Sequence, residues 1–192
     1  MEAFLVSAGI VALAEIGDKT QLLAFVLAAR YRRPWPIIGG ILVATLVNHA
    51  LAGAVGRWLM LALGPDRMRW GLAVSFFAMA AWILVPDKLD ESALTPRSRF
   101  GIFGTTVIAF FLAEMGDKTQ IATIALAARY PSVYAVVAGT TVGMLLANVP
   151  AVLVSDRLAG RLPTRAVHAV AAVIFVMLGL LVGFGSTDGL LR

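Results

Sequence analysis

The chain has 192 residues, 60% hydrophobic and 14% charged, with a mean hydropathy of +0.88 and a formal net charge of +5. Soluble domains carry about 25% charged residues, and a soluble fold of this size could not bury so much apolar surface, so lipid is expected to be part of the solvent. The basic excess does not point to nucleic acid, because no basic cluster carries interleaved aromatics, and the lack of cysteine excludes disulfides, zinc–thiolate sites and cysteine nucleophiles.

A spanning helix needs about 20 apolar residues. The first segment, 3–30, is uncharged over 3–14, then carries Glu15, Asp18 and Lys19, and is again uncharged over 20–29. It can span only if those charges lie near the bilayer middle. No positive region of a signal peptide precedes it, so it is expected to stay in the membrane. Uncharged runs at 34–56 and 70–86 predict helices over about 35–62 and 68–86. The fourth segment, 100–129, repeats the interruption with Glu114, Asp117 and Lys118. Runs at 132–155 and 166–187 predict helices over 132–156 and 165–187. Turn signals fall at Arg32-Arg33-Pro34, Gly64-Pro65-Asp66 and Tyr130-Pro131-Ser132. The expected fold is an all-α integral membrane protein of six transmembrane helices.

A polar linker, 87–99, separates a first half, 1–86, from a second, 100–192, and the halves are repeats. Glu15-Ile-Gly-Asp-Lys-Thr-Gln21 matches Glu114-Met-Gly-Asp-Lys-Thr-Gln120, and Ala28-Ala-Arg-Tyr31 matches Ala127-Ala-Arg-Tyr130. After one inserted residue, Gly39 and Asn48 fall opposite Gly139 and Asn148. Three helices per repeat is an odd number, so the second copy enters the membrane in the opposite sense. Inverted three-helix repeats of this kind belong to secondary transporters, with the site at the midplane between them. Placing the N-terminus outside puts nine Lys and Arg residues in cytoplasmic loops against five outside, which predicts that both termini and the 64–66 turn face out and the 87–99 linker faces the cytoplasm.

A charged side chain at mid-bilayer costs roughly 2.5–3.5 kcal/mol on insertion scales, so six in two motifs mark a functional site. On a helix, Glu15, Asp18, Lys19 and Leu22 share a face, as do Glu114, Asp117, Lys118 and Ala122. Gly17 and Gly116 weaken the helix beside the acids; a break there would expose carbonyls and turn Thr20 or Thr119 inward. Across the two-fold, Glu15, Asp18, Glu114 and Asp117 would converge as metal ligands. Thr20, Gln21, Thr119 and Gln120 would supply supporting oxygens, making an all-oxygen shell suited to Mn²⁺, Ca²⁺ or Mg²⁺ rather than Zn²⁺ or Cu²⁺. Lys19 and Lys118 fit two readings. They neutralise Glu15 and Glu114 as i, i+4 pairs when the site is empty, or they hold an acid ionised and compete with the cation. Asn48 and Asn148 suit either interhelical hydrogen bonding or service around the ion. His49 has no counterpart in the second repeat and reads as a packing histidine. Gly139-x-x-x-Gly143 and Gly179-x-x-x-Gly183 read as close helix contacts, and Trp35, Trp58 and Trp70 as interfacial anchors.

Two Glu-x-Gly-Asp-Lys-Thr motifs on the first helices of two three-helix repeats resemble the GDT family of membrane cation transporters. That family includes Golgi proteins handling Mn²⁺ and Ca²⁺ and bacterial manganese exporters of the MneA type. The resemblance covers nearly the whole chain and is complete within both motifs. It implies export of Mn²⁺, with Ca²⁺ as the alternative cargo, in exchange for protons or another cation such as Na⁺, from a bacterial plasma membrane. No resident cofactor and no catalytic residue is implied, since the metal is cargo. A Ca²⁺/H⁺ antiporter is the nearest alternative. An intramembrane metal-dependent enzyme is a reading from another class, and the sequence offers it neither a histidine-rich metal triad nor a serine–histidine pair nor a nucleotide-binding loop.

Overall fold

The computed structural model of the chain describes residues 1–84, 100–154 and 164–184. The described residues are helical, with no strand among them: α1 (Glu2–Glu15), α2 (Lys19–Tyr31), α3 (Pro34–Trp82), α4 (Gly101–Glu114), α5 (Lys118–Arg129), α6 (Val133–Leu153) and α7 (Thr164–Phe184). The 87–99 linker lies outside the described residues, as do Arg157, Arg161 and Arg192.

Two segments differ from the sequence reading, each through a glycine. The segments 3–30 and 100–129 are not single helices: the chain breaks at Gly17 (φ 84°) and Gly116 (φ 75°). This left-handed region costs an L-residue about 1–2 kcal/mol and glycine almost nothing. The separate helices expected over 35–62 and 68–86 are present: Gly64 takes φ 74° and ψ 169°, non-helical values that divide α3 into a first arm before it and a second arm after it. A single non-helical glycine, followed by a proline at the start of the second arm, redirects the chain without a loop.

The short helices of each half pack on the long helix of the other. α1 lies on α6, where Gly139 and Gly143 receive the main chain of Phe4 and Ala8 too closely for any Cβ. In the same way α4 lies on the first arm of α3, with Gly40 against Thr106 and the Phe103 carbonyl. Phe4 and Phe103 are themselves matched positions of the repeat, and each packs on a glycine of the facing long helix, Gly139 in one case and Gly39 and Gly40 in the other. α5 also rests on α3 at Gly56, which receives the Ile124 carbonyl, while Gly53 of α3 faces Val133 and Val137 of α6. α7 covers the second arm of α3. Gly179 faces the Phe77 ring, Phe76 stacks on Phe175 at 6.3 Å, and the Arg69 guanidinium donates to the Gly183 carbonyl.

Two apolar clusters result. One joins Ile10 and Ala14 of α1 with Ala122, Ala125 and Leu126 of α5 and with residues of α7 and the second arm of α3. The other joins Leu23, Ala24 and Leu27 of α2 with Ile37 and Ile41 of α3 and with Ala109 and Phe110 of α4. The chain therefore passes from the first cluster to the second at Gly17 and back at Gly116.

The distribution of polarity is the reverse of a soluble protein's. Glu15, Asp18, Glu114, Asp117, Lys118, Asn48, His49 and Asn148 are buried, whereas Leu46, Leu51, Leu112, Leu146 and Met177 are exposed. Among the described residues, two helices, 34–64 and α6, are long and apolar enough to cross a bilayer. Trp35, Trp58 and Trp70 are exposed.

Candidate functional site

Both motifs fold into the same local device, and each residue type has its place in it. Glu15 closes α1. Ile16 follows in extended conformation (φ −64°, ψ 114°), Gly17 takes positive φ, and the Asp18 N–H donates back to the Glu15 carbonyl at 3.0 Å. These are the features of a type II turn, which requires glycine at its third residue. The second copy repeats them, with Met115 at φ −67° and ψ 120° and the Asp117 N–H donating to the Glu114 carbonyl at 3.1 Å.

The aspartates sit at the N-caps of α2 and α5, where a carboxylate suits both the unpaired N–H groups and the helix dipole. Asp18 accepts from the Thr20 N–H at 3.5 Å. Three residues past each cap, a glutamine reaches back, as in a capping box. Gln21 Oε1 accepts from the Gly17 N–H at 2.9 Å, and Gln120 Oε1 from the Gly116 N–H at 2.8 Å. The threonines pin the glutamates: Thr20 Oγ1 donates to Glu15 Oε2 at 2.6 Å and Thr119 Oγ1 to Glu114 Oε2 at 2.7 Å.

The turns bring Glu15, Glu114 and Asp117 together, each with one carboxylate oxygen within 4.8 Å of the others. Oxygens on opposite sides of a bound Mg²⁺ stand about 4.0–4.2 Å apart, and of Ca²⁺ about 4.6–5.2 Å, so the spread lies in the range of a divalent cation. Glu15 Oε1, Glu114 Oε1 and Asp117 Oδ2 are buried without a hydrogen-bond partner among the described residues. Buried carboxylate oxygens left so are costly, and a cation or protons would satisfy them. Two half-helix N-termini and two C-terminal ends meet at this point, the arrangement by which broken helices bind ions.

The lysines do not pair within their own helices. The break destroys the i, i+4 relation to the glutamates, and each ammonium crosses to the other motif: Lys19 Nζ lies 3.2 Å from Asp117 Oδ1, and Lys118 pairs with Asp18. The expected common helix face for Glu15, Asp18 and Lys19 fails for the same reason. Of the four acids, Asp18 stands apart from the three-acid cluster, committed to its cap and to Lys118.

The flanking amides fall outside the cluster. Asn48 donates to the Phe111 carbonyl at 3.1 Å and accepts from Gln120 Nε2 at 3.2 Å, tying α3 to α4 and α5. Gln21 Nε2 donates instead to the Ala147 carbonyl at 2.8 Å. Asn148 donates to the Met144 carbonyl one turn back at 3.1 Å. His49 is buried with neither ring nitrogen hydrogen-bonded among the described residues. The sequence reading missed the glutamine clamps and the crossed ion pairs. The invariance of glutamine at the seventh place of both copies was the available signal for the clamps; nothing local signalled the crossing.

Comparison with known proteins follows this geometry. The family described as "Divalent cation/proton antiporter GDT1" matches residues 3–91 and 102–189. A Vibrio cholerae protein named "Putative manganese exporter" is 50% identical over 186 residues, 96% of this chain and 92% of that one. A GDT1-like protein of Synechocystis is 30% identical over 201 residues, 92% of this chain and 94% of that one. A GDT1-like protein of rice is 27% identical over 200 residues, 91% of this chain and 71% of that one. No solved structure matches the chain.

Proposed function

Because the chain belongs to the GDT1 family of divalent cation/proton antiporters, integral membrane transporters rather than enzymes, we propose that its cargo is Mn²⁺, exported in exchange for protons. The observation that carries the reading is the set of three unpartnered, buried carboxylate oxygens drawn from both motifs. Four acids against two lysines leave two negative charges in the buried site, which one divalent cation neutralises. The cluster contains neither imidazole nor thiolate, which favours Mn²⁺ or Ca²⁺ over Zn²⁺ or Cu²⁺. Sequence identity to the Vibrio protein favours Mn²⁺ over Ca²⁺.

Glu15, Glu114 and Asp117 hold the ion, Thr20 and Thr119 orient the glutamates, and the glycines and glutamines fix the turns. A metal needs ionised ligands, so protons and cation exclude one another on the same oxygens, as exchange requires. The halves, 1–86 and 100–192, act as inverted three-helix repeats in six spans. The opposite passage between the two apolar clusters at Gly17 and Gly116 supports that arrangement. Both termini face out of a bacterial plasma membrane, as the arginine count favours. A cysteine at Ser92 should then resist an impermeant thiol reagent added to intact cells, and rapid labelling would overturn the orientation.

Transport is tested with purified protein in liposomes. Mn²⁺ flux should follow an imposed pH gradient, and Ca²⁺ should compete more strongly than Zn²⁺. Flux indifferent to the gradient would contradict exchange, and preferred Zn²⁺ transport would contradict the cargo.

A further inference from the structure

We propose that Lys19 is a tethered competitor of the transported cation, holding Asp117 until the ion displaces it, while Lys118 is a fixed counter-ion of Asp18. The inference rests on the site proposed above and concerns how that site is kept when no metal is bound.

The two motifs are the same at six of seven positions, and their lysines make the same crossed pair. Their surroundings are not the same. The Lys118 side chain is 1% exposed against a fully enclosed Asp18, whereas the Lys19 side chain is 24% exposed against an equally enclosed Asp117. Separating an enclosed pair strands two buried charges, which is strongly destabilising. Lys118 therefore has nowhere to take its charge. Lys19 is not closed in on every side: its flexible four-carbon stem can swing the ammonium off Asp117 while the stem stays along the protein.

The carboxylates differ in the complementary way. Asp117 belongs to the three-acid cluster, and Asp18 does not. The ion pair that opens at the smaller cost is thus the one whose carboxylate the cation needs. When the ion arrives, one positive charge leaves Asp117 and two enter. When it departs, Lys19 returns and offsets one of the negative charges left on the emptied site, and the exchanged protons offset the rest. Its presence lowers apparent affinity, because only the fraction of molecules with Lys19 withdrawn is competent to bind. The same return assists release.

The test is direct binding of Mn²⁺ to full-length protein in detergent, read from the loss of the free-ion paramagnetic resonance signal, together with flux in liposomes. Lys19→Met should tighten Mn²⁺ binding on the order of tenfold and lower the apparent KM, with a lower kcat because release loses its competitor. Lys19→Arg should act in the opposite direction on affinity, since a guanidinium holds a carboxylate with two N–H groups. Lys118→Met should weaken binding. A lysine with a merely structural role would weaken binding in both Lys19 variants. That result, unchanged affinity in Lys19→Met, or equal tightening in Lys118→Met would overturn the inference while leaving the proposed function standing. Wild-type protein that leaves the Mn²⁺ signal unchanged would overturn both.

Discussion

Around Glu15 and around Glu114 the chain makes the same turn, the same threonine-to-glutamate hydrogen bond and the same glutamine clamp, with an aspartate at the same helix start. Beyond that first shell the copies diverge. Asp117 stands with the two glutamates and faces a half-open Lys19, while Asp18 faces an enclosed Lys118. Gln120 ends on a side-chain amide, Gln21 on a main-chain carbonyl. The repeated heptapeptide fixes what its own seven residues can reach. What packs over it comes from distant segments whose sequences differ between the halves. Two equal parts can therefore make one unequal site, and the inequality can separate binding from release.

The largest effects should come from the cluster itself. Partners one shell away from a metal typically cost 10–100-fold when lost. Glu15→Gln, Glu114→Gln and Asp117→Asn should each reduce Mn²⁺ flux by at least about 100-fold with the fold retained. Asp18→Asn should cost less in Mn²⁺ affinity than Asp117→Asn, because Asp18 lies outside the cluster. Equal losses of affinity would break the comparison in favour of a symmetric four-acid site. Mn²⁺ affinity should fall as pH is lowered, since protons then occupy the same oxygens; binding independent of pH would remove the basis of exchange.

The turns should show the two copies at their most alike. Gly17→Ala and Gly116→Ala each force an L-residue into the left-handed region and should cost about 1–2 kcal/mol in stability. An added Cβ at Gly116 meets nothing within 4 Å, so there the penalty is conformational alone. Thermal unfolding in detergent would measure it. Thr20→Val and Thr119→Val each remove a hydrogen bond to a charged group, worth about 1.5–3 kcal/mol, and should loosen Mn²⁺ binding on the order of tenfold. A loss from only one of them would extend the inequality to the glutamates. The smallest change is expected from Gly71→Ala, a helical position with open space around it, which should stabilise by roughly 0.5–1 kcal/mol. Gly139→Ala, pressed against the Phe4 main chain, should do the opposite.

Much of this was legible in the sequence because it is local or repetitive. The apolar runs located the helices, the doubled motif located the acids, and glycine beside them foretold the breaks. A reading that kept Glu15 and Lys19 on one helix, however, drew the wrong ion pairs. The i, i+4 relation holds only along unbroken helix, and the turn at Gly17 carries Lys19 across to the other motif. The break at Gly64 was legible for the opposite reason: Gly-Pro-Asp is a local turn signal, and the chain leaves helical conformation at that glycine. The unequal burial of Lys19 and Lys118 had no local signal at all, since it depends on which distant segments close over each ammonium.

The central claim is that two motifs build a single site for one divalent cation. Counting Mn²⁺ bound per chain in purified wild-type, Glu15→Gln and Glu114→Gln protein tests it most directly. The account predicts one ion per wild-type chain and essentially none at the same Mn²⁺ concentration in either variant. Two ions in the wild type, with one remaining in each variant, would contradict it and assign each motif a site of its own.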